Sequence, residues 1–269
     1  MCQLLGMSSH KPAKLSFSLA GFLRRGGETD EHADGWGAAF FGGEHCRLMI
    51  DEVASAHSPL AQWLLKNPLW SRNVIAHIRK ATRGDVRPEN CHPFMRRLWG
   101  REWAFAHNGT VDTEGLPQPQ HFLPVGDTDS EHCFCLLMDA LVQRFGDHEP
   151  ELDALTHCLA ETASEFSRRG SFNFLLCDGE RLFAHCSTEL HFVRRRYPFG
   201  RARLLDCELA IEFAEHNHLD DDIVVIATRP LTDECWQRIA PGSMRVFAAG
   251  RELAAAGRQA FHTPAVIAV

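Results

Sequence analysis

The apolar residues change period twice along the chain. In the first third they follow a period of two. Val74, Ala76 and Ile78 fall on one face of a segment and Ile75, His77 and Arg79 on the other, as a strand requires. Gly37 to Phe41 and Arg101 to Ala106 also read as strands, the second ending at Asn108-Gly109, a turn dipeptide. The period then lengthens. Thr128-Asp129-Ser130-Glu131 has the T-x-x-E form of a capping box, and Phe134, Leu137, Met138, Leu141, Val142 and Phe145 follow at helical spacing. Leu152, Leu155, Leu159 and Phe166 predict a second helix beside it. Strands return at Ser171 to Cys177 and Arg181 to Cys186, around the hairpin signal Asp178-Gly179, and again at Leu190 to Arg195, Asp222 to Thr228 and Ser243 to Phe247. Strands, then helices, then strands, with few β-α-β alternations, predict an α+β layered domain rather than a doubly wound sheet. The loops Gly26 to Asp34 and Gly115 to Gly126 are too short to serve as domain linkers, so a single domain is expected.

Composition narrows the class. With 45% apolar and 23% charged residues among 269, the chain has ordinary globular usage, which excludes a disordered or coiled-coil protein. Its 28 Lys and Arg against 35 Asp and Glu leave a net charge of −7, without the basic excess that nucleic acid or an anionic membrane surface demands. No apolar run approaches the roughly 20 residues of a membrane span. Leu15 to Leu23 has the apolarity of a short signal core, but Arg24-Arg25 follows it instead of a cleavage site, and secretion is not expected. The ten cysteines are scattered, Cys133 and Cys135 stand two apart on a predicted helix, and no C-x-x-C occurs. The sixteen histidines never take zinc-site spacing. Neither a metal nor a cofactor is expected, and a reducing cytoplasm is the simplest compartment.

Four features carry candidate chemistry. Met1-Cys2 is the first: removal of Met1 would give Cys2 a free α-amine of ordinary pKa about 7.7–8.0 beside its own thiol, so that one residue supplies nucleophile and base. Taken alone, Cys2 is any small residue near a terminus. His77 and Arg79 share a strand face, where a guanidinium fork binds carboxylates or simply joins an ion pair. Asn108-Gly109 is taken singly as a turn, and otherwise as an amide and a backbone N–H aimed at one oxyanion. Asp129 either complements the helix dipole or receives a substrate ammonium; Thr128 caps the helix without it. Asp34-Gly35-Trp36-Gly37 is no phosphate loop, and its glycines point to a strand lying close against neighbouring backbone.

In this order the motifs resemble a known family. Cys2, then His77-Ile-Arg79-Lys-Ala-Thr82-Arg-Gly84, Asn90-Cys-His92-Pro93, His107-Asn108-Gly109 and Asp129-Ser-Glu131 are similar to the class II glutamine amidotransferases. Met1 to Gly6 and Asp34 to Gly37 look like their small single-domain branch, while Asn173 and Pro230-Leu231-Thr232 are similar but less specific. The resemblance implies an N-terminal-nucleophile (Ntn) hydrolase with an αββα four-layer sandwich over residues 2–269. It further implies that Cys2 attacks the glutamine side-chain amide and that Asn108 and the Gly109 N–H hold the oxyanion. Arg79 would take the α-carboxylate, Asp129 the α-ammonium, and Thr82 and His92 would line the pocket. A Cys2 thioester would release ammonia to an acceptor or partner protein and be hydrolysed to glutamate. The chain departs from the synthase-linked members at Gln3, Lys80 and Arg83, and holds no acceptor domain. Two other activities fit the same motifs: an amidohydrolase of a γ-glutamyl small metabolite, and a catalytically silent protein that binds glutamine.

Overall fold

The computed structural model describes residues 2–42, 45–82 and 84–257; Met1, Arg83 and the last stretch of the expected domain, 258–269, lie outside the described residues. The first half of the chain supplies β1 (Gln3–Lys14), β2 (Trp36–Gly42), β3 (His45–Asp51), β4 (Trp70–Ile78), β5 (Phe94–Leu98) and β6 (Arg101–Val111). Helices α1 (Ser16–Arg24) and α2 (Pro59–Lys66) fall among them, and α3 (Asp129–Phe145) and α4 (Leu152–Ser167) follow. The second half adds β7 (Gly170–Cys177), β8 (Leu182–Cys186), β9 (His191–Arg196), β10 (Arg201–Arg203) and β11 (Ala210–Glu212). Last come β12 (Asp222–Ala227), β13 (Gln237–Arg238), β14 (Ser243–Ala248) and β15 (Arg251–Gly257).

Among the described residues the strands form a seven-stranded sheet, β13-β9-β12-β1-β4-β2-β3, a six-stranded sheet, β15-β14-β8-β7-β6-β5, and the small pair β10-β11. Side-chain parity turns the two large sheets into four layers. On β4, Val74, Ala76 and Ile78 pack with Leu19, Phe22, Leu23, Ala61 and Leu64 of α1 and α2. Ile75 faces the other way, into a second core between the sheets with Leu4, Phe41, Ala104, Ala106, Leu175 and Ile226. A third core joins Trp103, Phe105, Phe172 and Phe174 to Phe134, Leu137, Leu141, Leu155, Leu159 and Phe166 of α3 and α4. The order is helices, sheet, sheet, helices. Burial of a side chain such as Phe22, which has no exposed surface, contributes about 1.5–3 kcal/mol. The sheets approach closely through small residues: a Cβ on Gly6 would meet Leu175 Cδ1 at 2.9 Å.

Two expectations need correction. The strand expected to stop at a turn at Asn108-Gly109 continues to Val111, because β7 pairs with it throughout, Asn108 opposite Asn173 and Gly109 opposite Phe172. Gly109 is there for a different reason. At φ +155° its position lies so close to Ser171 that a Cβ would fall 1.9 Å from the Ser171 carbonyl oxygen. The capping box is half formed: Thr128 Oγ1 accepts the Glu131 N–H at 3.2 Å, but the Glu131 carboxylate turns to the Gly126 N–H and to Arg96, both at 2.7 Å. Leu15 to Leu23, weighed as a signal core, lies largely in α1 and buries Leu19, Phe22 and Leu23.

The central strand of the seven-stranded sheet escaped the sequence reading. This strand, β1, shows no alternation because Leu5 and Met7 are buried under helices while Leu4 is buried between sheets. Gly35 and Gly37 sit against backbone as expected: a Cβ on Gly37 would lie 2.3 Å from the His92 carbonyl oxygen.

Candidate active site

Cys2 lies just ahead of β1, at the sheet's middle, with β4 on one side and β12 on the other. The register Gln3↔Ile78 carries the start of β1 to the end of β4. There Lys80 holds the half-buried thiol twice: its N–H donates to Sγ at 3.3 Å and its carbonyl accepts the S–H at 3.4 Å. Burial pushes the Cys2 thiol up; the Lys80 N–H and the positive charge of Arg79 pull against that shift, and Asp129 adds to it.

Six of the seven expected site residues line one small cavity beside this thiol: Cys2, Arg79, Thr82, His92, Gly109 and Asp129. They come from five stretches of chain that the fold brings together. The cavity measures about 20 Å³, room for about one water. Asn108 stands apart from its lining. It is fully buried on β6, and its Nδ2 donates to Thr228 Oγ1 at 3.2 Å while Oδ1 has no hydrogen-bond partner. The same Thr228 hydroxyl accepts the Leu4 N–H at 2.9 Å, so Asn108 is tied to the beginning of β1.

Arg79 follows β4 with its own N–H on the Gly35 carbonyl. Among the described residues, guanidinium Nη1 donates to the Asp85 carbonyl and Nη2 to the Gly84 carbonyl, each at 3.0 Å. Asn90 holds this loop in place, donating Nδ2 to Asp127 Oδ1 at 2.7 Å and to the Asp85 carbonyl at 3.0 Å. Asp129 was expected to lack a structural task, and the structure corrects this: its Oδ2 accepts the Val111 N–H at 2.7 Å, bonding the first turn of α3 to the end of β6. Among the described residues its Oδ1 has only the Ser130 hydroxyl near it, at 3.5 Å, and that hydroxyl's proton is turned to His107.

Buried histidines back the cavity. His92 Nδ1 and His77 Nε2 are 3.0 Å apart, so His77 pairs with an imidazole rather than with Arg79. Burial, together with neighbouring histidines, holds both well below the usual histidine range, and both are neutral. His107 donates Nε2–H to the Ser171 carbonyl at 3.1 Å, which leaves Nδ1 to accept the Ser130 hydroxyl at 2.8 Å. His107 and Ser130, both in the cavity lining, were quoted in motifs without a role, and Thr228 was quoted only as a strand end; only their three-dimensional placement marks them.

A second cavity, about 220 Å³, also borders Cys2 and shares only Cys2 and Lys80 with the first. Gln3, Asp30, His32, Lys80, Glu189 and Arg229 line it with Cys2 and Thr228. The loop Gly26 to Asp34 is fastened here: Lys80 Nζ meets Glu31 at 2.9 Å and Asp34 Oδ2 accepts the Ala81 N–H at 2.7 Å. Asn173 sets the far wall, accepting the N–H groups of Ser187, Thr188 and Glu189 on Oδ1 and donating Nδ2 to the Asn108 carbonyl at 3.0 Å. Arg25 fixes the Arg229 and Pro230 carbonyls with two further hydrogen bonds.

Four layers of this kind, with a thiol at the head of the central strand, define a hydrolase of the Ntn type. Residues 1–266 match the family described as glutamine amidotransferases class-II, and the chain belongs to that family. It is 45% identical over 254 residues to the protein YafJ of Escherichia coli (strain K12), a match that covers 94% of this chain and all of YafJ. A glutamine amidotransferase structure from Pseudomonas aeruginosa superposes with a TM-score of 0.72 at 38% identity, covering 94% of this chain and all of that one. More distant is the gamma-glutamyl-hercynylcysteine sulfoxide hydrolase of Mycolicibacterium smegmatis, 29% identical over 167 residues, 57% of this chain and 60% of that protein.

Proposed function

We propose that the chain, with Met1 removed, hydrolyses the side-chain amide of glutamine through a thioester on Cys2. The observation that carries this reading is the convergence on one cavity of the Cys2 thiol, the Arg79 guanidinium, the Asp129 carboxylate and the Gly109 backbone. The Cys2 α-amine takes the thiol proton as sulfur attacks the amide carbon. The Gly109 N–H and the Asn108 amide receive the oxyanion, for which fixed donors in a dry site are worth several kcal/mol. The C–N bond breaks as the α-ammonium returns its proton to the leaving nitrogen, and water then cleaves the thioester to glutamate. Arg79 receives the substrate carboxylate in place of the Gly84 and Asp85 carbonyls, and Asp129 Oδ1 receives its ammonium. Thr82 and His92 bound the pocket. Ammonia passes to an acceptor or partner protein. The two sheets that close this site share one inter-sheet core, which supports a single domain, and the ten free thiols fit the reducing cytoplasm.

The test is intact mass before and after incubation with the glutamine analogue 6-diazo-5-oxo-norleucine, on chain verified to lack Met1. One label mapped to Cys2, with ammonia released from glutamine by the untreated protein, is the expected result. A processed chain that takes no label and releases no ammonia sinks the reading.

The larger cavity beside Cys2 favours a second reading, an amidohydrolase of a γ-glutamyl small metabolite. Arg79 and Asp129 hold the glutamyl end in either reaction, so turnover on a panel of γ-glutamyl amides separates the two.

A further inference from the structure

We infer that the larger cavity beside Cys2 is a built subsite for the leaving amine, and that it takes a primary amine larger than ammonia that carries its own hydrogen-bond donor. The inference rests on the reading of Cys2 as the nucleophile. A glutamyl group bound toward Arg79 and Asp129 presents its leaving nitrogen away from them, and this cavity also borders the sulfur while sharing only Cys2 and Lys80 with the smaller one. Ammonia is water-sized and needs about 10–15 Å³ of such space, against about 220 Å³ here.

The cavity's chemistry selects for donors. Gln3 is 3% exposed and lines it, and Gln3 Oε1 meets no donor among the described residues. A buried carbonyl oxygen left without a partner is costly, and an N–H or O–H of a bound amine removes that cost. The Asp30 and Glu189 carboxylates also line the cavity, Asp30 Oδ2 at 3.2 Å from His32 Nδ1. The two cations are already joined to carboxylates: Lys80 to Glu31 at 2.9 Å and Arg229 to Glu189 at 3.6 Å. Both stand at the exposed rim. Gln3 Oε1 is thus a buried acceptor left open in this lining, and a bound amine meets it with a donor. In the reaction the γ-glutamyl C–N bond breaks, the amine leaves with the proton from the Cys2 α-ammonium, and its second donor stays on Gln3 Oε1 until it departs.

The experiment measures kcat/KM of the full, Met1-free protein on glutamine and on the γ-glutamyl amides of methylamine, ethanolamine, 1,4-diaminobutane and glycine. The ethanolamine and diaminobutane amides, which carry a second donor, are expected to exceed glutamine at least tenfold, with the methylamide and the glycine amide behind them. In Gln3→Met, which keeps the side chain's length and removes the acceptor, that ratio is expected to fall at least fivefold. Glutamine or the glycine amide ranking first, or an unchanged ratio in Gln3→Met, overturns the inference and leaves the nucleophile intact. So does labelling of Cys2 by the glutamine analogue with no amide of the panel turned over. No label and no turnover on any substrate removes the underlying reading and this inference together. The wild-type ranking stands as a test even where Gln3→Met fails to fold.

Discussion

Arg79 donates Nη2 to the main-chain carbonyl of Gly84 at 3.0 Å, and Nη1 to that of Asp85 at the same distance. The fork that suits a carboxylate thus closes on the chain's own loop, beside a cavity with room for about one water. In the proposed reaction a glutamyl carboxylate replaces these two carbonyls on the Arg79 fork.

Replacing Arg79 by Lys keeps the charge and removes the fork. We expect KM for glutamine to rise at least tenfold with a smaller change in kcat, because a point charge cannot replace bidentate recognition. Steady-state kinetics with KM unchanged in Arg79→Lys would show that Arg79 serves only the loop.

Asp129 carries a structural bond and, in the proposed reaction, a charge. Asp129→Asn keeps an oxygen for the Val111 N–H and loses the charge, so KM should rise by one to two orders of magnitude at nearly constant Tm. Asp129→Ala also strands a buried N–H, at a cost of about 1–3 kcal/mol in urea unfolding. Equal stability of the two variants would count against the Val111 bond.

At Gly109, alanine should not be tolerated. Its Cβ would enter the Ser171 backbone, 1.9 Å from the carbonyl oxygen and 2.6 Å from the carbon, and neither strand of that pair can retreat cheaply. We expect a loss of at least about 3 kcal/mol or an insoluble product. A Gly109→Ala protein with wild-type Tm would refute the close approach.

The buried histidines set an acid limit on stability. Burial lowers His77, His92 and His107, and lowers His185 to about 4. Each is neutral when folded and binds a proton in the unfolded chain below about pH 6.5. The unfolded state then holds more protons, so their contribution is whole above that pH and falls as the pH drops from about 6.5 towards the folded value. Each group fully titrated in the unfolded chain alone costs about 1.4 kcal/mol per pH unit. Urea midpoints measured between pH 7.5 and 5 should fall steadily, and His185→Gln should flatten the slope; a midpoint constant over that range would disprove the neutral state.

Much of the fold was legible because some segments have one buried face and one partner. On β4 the alternation read from the sequence is the division between two cores, and Thr128 caps α3 as its spacing predicted. The same local logic failed at Asn108-Gly109, where a dipeptide with turn propensity runs straight because β7 supplies hydrogen-bonding partners. It failed again at β1, which is buried on both faces and so shows no period.

What the sequence determined by itself was the succession of strands and helices, through hydrophobic period, and the set of polar residues that the motifs brought together as candidates; the four-layer order was implied only by the resemblance. Their geometry belongs to the tertiary structure. Arg79 turns to carbonyls five and six residues on, and Asp129 finds its bond on another element. The second cavity draws its walls from residues 30, 189 and 229, which meet Cys2 only when the sheets close. Side-chain period is set by neighbours three or four positions away. A cavity is set by segments hundreds of residues apart, and no local pattern records where those segments converge.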